Sequence, residues 1–116
     1  MTKFVNVLGT RYEILRVSAD EVEEGYGGFC DPDLHIIKIL RLETAGDWKE
    51  ESAEKRAARE KLFLRHEIVH AFLNESGLKD NCAIPQVSWP HNEEMVDWIA
   101  VQGQKIFEAW QKAGAL

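Results

Sequence analysis

At 116 residues the chain has the length of one domain, and an apolar fraction of 45% with only three prolines and eight glycines describes a globular protein with a core rather than a disordered one. Fourteen Lys and Arg against twenty Asp and Glu leave a formal charge of -6, which repels phosphate backbones and excludes nucleic acid as the default partner. Nothing in the chain approaches the ~20 apolar residues of a membrane span, and the start Met1-Thr2-Lys3-Phe4-Val5-Asn6-Val7 carries no apolar signal core, so a cytoplasmic location is expected.

Residues 3 to 41 read as strands, because β-branched and aromatic residues are punctuated by Gly, Asp and Pro. A first hairpin is expected from Phe4–Leu8 and Tyr12–Val17 around Gly9-Thr10. A second is expected from Tyr26–Cys30 and His35–Leu40, joined by Asp31-Pro32-Asp33, where Pro presets φ and Asp caps the turn. Between them, Ser18–Glu24 suits an acidic turn or one helical turn. Cys30 and Cys82 lie far apart without C-x-x-C spacing and read as free thiols in a reducing compartment.

From Ser52 the composition shifts to Ala, Glu, Lys, Arg and Leu, and a long helix is expected over 52–76 until Gly77 stops it. Five basic residues crowd its first half (Lys55, Arg56, Arg59, Lys61, Arg65), but Glu54 and Glu60 interrupt them as on a solvated helix face. Residues 78–91, with Asn81, Pro85 and Pro90, form a connection. Asn92 or Ser88 then caps a second helix over 92–113. Strands followed by helices make an α+β domain: a small antiparallel sheet of three to four strands packed on two long helices.

The first helix contains His66-Glu67-Ile68-Val69-His70, an H-E-x-x-H pattern. Residues four apart share a helix face, so both imidazoles reach one ion, while Glu67, about 100° away, approaches a ligand of that ion. Leu62, Val69 and Leu73 fall within about 60° of His66, which puts the pair on the buried side. Two buried imidazoles without partners would be costly, and a shared metal answers that cost better than two separate hydrogen-bonded core histidines.

A third ligand must come from Cys82, His91, Glu93, Glu94 or Asp97. The apolar arc of the second helix comprises Met95, Val96, Ile99, Ala100, Gly103, Ile106, Phe107 and Trp110, with Glu93 at its border and Glu94 nearly opposite. Glu93 is the inward-facing acid. Asp97, one turn on, is placed to hydrogen-bond a ligand imidazole.

Asn92-Glu93-Glu94-Met95-Val96-Asp97 resembles the N-E-x-x-x-D helix of thermolysin-like gluzincins, and Arg65–Phe72 with Asn92–Ala100 looks like the minigluzincins and ImmA/IrrE-like metallopeptidases of bacteria and phages. The resemblance spans Leu62 to Ala100. It implies a minimal zincin-like domain binding Zn2+ through His66, His70 and Glu93, Asp97 orienting a zinc histidine, and a peptide or protein substrate. By the same resemblance, Glu67 is the general base acting on a water at the open zinc position; no motif marks the oxyanion donor, and by elimination it is expected in Tyr26, His91 or His35. It also implies that strand His35–Leu40 is the sheet edge beside the cleft, where a peptide adds as a further strand. Two other readings compete with hydrolysis: a catalytically inactive zinc-stabilised interaction module closed by Cys82 or His91, and a metal-free protein docking a partner through Trp48 or Trp89.

Overall fold

The computed structural model describes residues 3–78 and 85–116. Strand β1 (Lys3–Val7) turns through Leu8 and Gly9 into β2 (Thr10–Val17). Both turn residues have positive φ, 51° and 90°, the geometry that matches the twist of two-residue hairpins, and Asn6 Oδ1 accepts the Gly9 N–H at 2.9 Å. A single 3-10 turn, Ala19–Glu21, follows β2.

Strands β3 (Gly28–Asp31) and β4 (Ile36–Leu40) form the second hairpin, in which Asp31 Oδ1 accepts the N–H groups of Asp33 and Leu34, each at 3.0 Å. His35 lies in this turn with φ 57°, ahead of the strand rather than in it.

The sheet order is β1-β2-β4-β3, and β2 runs parallel to β4 with Ile14 opposite Ile37. The sheet is therefore mixed, not the antiparallel one expected from the hairpins. The reason is burial. Ile36-Ile37-Lys38-Ile39-Leu40 is the most continuously apolar strand and takes an interior slot, whereas the short, glycine-led β3 takes the outer edge. The edge is thus β3, not the segment His35–Leu40.

Helix α1 (Ala53–Glu75) starts on Ser52, whose Oγ accepts the Lys55 N–H, and ends at Ser76 and Gly77, the latter with φ 85°. It lies across one sheet face, where Val7, Tyr12, Ile14, Ile37, Ile39 and Ala71 form the core and Phe63, Leu64 and Ile68 pack against it. The most buried residues of α1 are Glu67, His70 and Ala71, while Leu62, Val69 and Leu73 are only half-buried, so the deepest stripe sits nearer Glu67 than expected.

Two of the basic residues on α1 also tie it to neighbouring backbone. Arg56 donates to the carbonyl oxygen of Glu51, and Arg65 Nε donates to that of Ala100 at 2.8 Å. Trp48, expected to be exposed, is half-buried with the cations of Lys55 and Arg59 over its ring.

After 3-10 turns at Pro85–Val87 and Trp89–His91, α2 (Glu93–Lys112) begins on Asn92, whose Oδ1 accepts the Met95 N–H at 3.0 Å. Among the described residues no helix is long and apolar enough to cross a membrane.

Candidate metal centre

Helix α1 carries His66 and His70 one turn apart, and α2 brings Glu93, its first residue, against both. Glu93 Oε2 lies 2.9 Å from His66 Nε2 and Oε1 lies 3.0 Å from His70 Nε2, while the two Nε2 atoms are 3.0 Å apart. Glu94 is exposed and enters no contact with either imidazole.

The other ring nitrogens are also engaged. His66 Nδ1 is 2.6 Å from Asp97 Oδ1, and His70 Nδ1 is 2.6 Å from the carbonyl oxygen of Pro90. A carbonyl only accepts, so the proton of a neutral His70 is assigned to Nδ1, and the Asp97 carboxylate assigns His66 likewise. Both Nε2 atoms then present lone pairs to each other and to the Glu93 carboxylate. With both imidazoles neutral, three acceptor groups converge, an arrangement that a metal ion would satisfy. Their spacing is close to the ~3 Å between donor atoms around a small divalent ion with two nitrogens and an oxygen.

Glu67 sits beside these atoms, its Oε2 3.9 Å from His66 Nε2, and one donor atom from each of His66, Glu67 and His70 falls within 4.8 Å of the others. Its carboxyl is buried. Burial pushes its pKa up from 4.5 to about 7, with His66 pulling downward and the charges of Glu93 and Asp97 adding to the rise. A carboxylate so placed exchanges a proton near neutrality.

These residues open on a cleft of about 240 Å³ whose walls include Tyr26, Cys30, Asn74, Pro90 and His91. His91 is fixed from behind by its Nδ1 contact of 3.0 Å with Ser88 Oγ, and Asn74 Nδ2 donates to the His70 carbonyl oxygen at 2.8 Å. Cys30 is a half-buried thiol pushed up to about 12 by desolvation and then by nearby carboxylates, which favours its protonated form.

His35 is elsewhere. Its ring lies 5.3 Å from that of Tyr12 and its Nε2 3.7 Å from Glu75, so of the three expected oxyanion donors only Tyr26 and His91 border the cleft. Cys82 lies outside the described residues. A larger hollow of about 820 Å³ lies between β2 and the first half of α1, but its two acids, Glu43 and Glu60, are both tied to Arg16, and no His or Cys is among the described residues that line it.

Sequence reasoning missed the Pro90 carbonyl, Asn74 and Cys30. Asn74 follows His70 by four residues, a spacing that brings it onto the same helix face, but a backbone carbonyl has no residue-type signal at all. No family model, curated protein or solved structure matches the chain.

Proposed function

We propose that the chain is a zinc-dependent hydrolase, acting on a peptide bond, in which His66, His70 and Glu93 hold the ion and Glu67 is the general base. The observation that supports this best is the convergence of the His66 and His70 Nε2 atoms and the Glu93 carboxylate within about 3 Å of one another. Zinc, when bound, supplies the Lewis acidity that polarises a carbonyl and acidifies a water.

The protein's own groups supply the remainder. Asp97 and the Pro90 carbonyl hold the imidazoles with Nε2 directed to one point, and Glu67, buried and with a pKa raised to about 7, takes a proton from water and delivers it to the leaving amine. Of the two donors on the cleft wall, His91 is anchored by its contact with Ser88 and is assigned to the developing oxyanion. The peptide assignment rests on the resemblance to gluzincins and on the position of β3, an edge strand with Gly28, Phe29 and Cys30 on the cleft wall, beside which an extended chain can be held. The competing reading, an inactive zinc-stabilised interaction module, draws on His91 bordering the same cleft, where it would close the coordination.

Metal analysis of natively purified protein should find about one zinc per chain, with a rise in thermal stability on adding zinc to chelator-treated protein. Glu67→Gln should keep the metal and lose nearly all hydrolysis of a peptide library, and His70→Ala should lose both. Less than half an equivalent with no thermal response removes the metal reading. One bound zinc with no cleavage of any library peptide by the wild type leaves the interaction module in its place.

A further inference from the structure

The hollow between β2 and the first half of α1 owes its existence to two small side chains. Ala53 and Ala57 lie within about 40° of the buried Ala71 on the helix, so the stripe that packs on the sheet continues to the start of α1. Both are nevertheless exposed, because a methyl group does not reach the sheet from there. Ile14 and Ile39, 8% and 2% exposed, form the opposite wall. The space left, about 820 Å³, is within the ~300–1,000 Å³ usual for small-molecule sites. Its α1 wall runs from Ala53 to Leu64, about 16 Å of helix, which suits a linear ligand.

Charge gives the hollow a preference. Four cations, Lys3, Arg16, Arg56 and Lys61, line it with two acids, Glu43 and Glu60, a local excess of two positive charges on a chain of formal charge -6. Both acids are held by Arg16, and Glu60 Oε2 also accepts the Leu42 N–H at 3.1 Å. Lys3 and Lys61 are exposed. Arg56 is half-buried and fixed, its Nη1 donating to the carbonyl oxygens of Glu51 and Trp48. Its Nε and Nη2, the edge of a guanidinium that meets a carboxylate through two parallel hydrogen bonds, have no partner among the described residues.

We propose that the hollow binds a monocarboxylate with a linear apolar tail, of the medium-chain fatty acid class. The carboxylate sits on Nε and Nη2 of Arg56, and the chain runs between Ala57 and Ile14. A guanidinium already fixed by two carbonyls loses little freedom on binding, and Lys3 and Lys61 draw the anion in. The alanines leave room for methylene groups that larger side chains would exclude. The inference does not depend on the metal reading.

Isothermal titration calorimetry with decanoate, below its micelle-forming concentration, tests it on the protein as purified. One site per chain should bind with Kd below about 100 µM, and thermal stability should rise, as it does for a ligand selective for the native state. Arg56→Gln should raise Kd by about 10-fold or more, and Ala57→Phe, which fills the hollow, should abolish binding, each with metal content unchanged. Ala57→Phe touches neither backbone tie of Arg56, so the test stands even if Arg56→Gln loosens the start of α1. Lys105→Gln, on α2, should leave Kd unchanged. Titration in chelator should give the same constant, since a carboxylate resting on the metal would be lost there. Decanol binding as tightly as decanoate overturns the proposal in favour of a merely apolar crevice, and inorganic phosphate binding as tightly overturns it in favour of a general anion site. No binding, a falling thermal midpoint, loss of binding in chelator, or an affinity indifferent to both Arg56→Gln and Ala57→Phe overturns it equally.

Discussion

Nδ1 of His70 lies 2.6 Å from the carbonyl oxygen of Pro90, and the contact joins the middle of one helix to the backbone just ahead of the next. His66 is oriented instead by a side chain, Asp97, and only that contact is removable by substitution. Asp97→Asn should weaken zinc binding by about 10–100-fold, Glu93→Ala by more, and Glu94→Ala hardly at all. Competition titration against a chelator ranks the three. If Glu94→Ala were the damaging change, the ligand set would have to be revised.

Glu67 gives the metal-free protein a pH dependence of definite sign. Its proton is held more tightly in the folded state, where its pKa is about 7 against 4.5 for the free side chain. The stability it contributes is complete below pH 4.5, declines as the pH rises to about 7 and is flat above that. In chelator, the stability of wild type minus that of Glu67→Gln should fall by on the order of 3 kcal/mol across this window, measured by urea unfolding at a series of pH values. A difference independent of pH would mean that the carboxyl is solvated.

Tyr12, fully buried beneath α1, donates its hydroxyl to Glu75 Oε1 at 2.7 Å, and Thr10 donates to the other oxygen at 3.0 Å. Burial, then the Glu75 contact, raise the phenol's pKa, while the same contact holds the Glu75 carboxyl below its usual value. Tyr12→Phe should cost about 1–2 kcal/mol, since Glu75 keeps one donor, and the metal affinity should not change. Thermal unfolding and the chelator titration together check both halves.

Gly28 admits no side chain. A Cβ there would collide with the carbonyl oxygen of Lys38 and come within 3.2 Å of Ile39 Cδ1. Gly28→Ala should lower stability by about 1–3 kcal/mol, because the obstacle is backbone of the neighbouring strand. A thermal midpoint within a degree of the wild type would show that the edge strand shifts freely.

Both helices were legible because their signals are local. Ser52 and Asn92 cap them, Gly77 stops the first, and the spacings 66/70 and 93/97 fix which residues share a face. The parallel pairing of β2 with β4 was not, because turn residues report which strands follow each other and not which lie side by side. Position in the sheet was decided by the competition of Ile36–Leu40 and Gly28–Asp31 for the interior slot. His35 was misplaced for a related reason: it is the last residue of a turn longer than Asp31-Pro32-Asp33 suggests, and its ring lies beside Tyr12 and Glu75 rather than at the cleft. The site itself was half legible, its side-chain donors from spacing and its carbonyl donor not at all.

Among the described residues the strand that borders the cleft has no neighbour on its outer side, and the row of amides and carbonyls on such an edge recruits any extended chain, including the same strand of another molecule. The protection against fibrillar stacking is brevity. β3 is four residues long, ends in the acidic Asp31 and is followed at once by Pro32, which has no amide proton to offer. A strand this short has room for one short extended segment and little for an indefinite ladder, so replacing Pro32 with a strand-forming residue would exchange solubility for a longer edge.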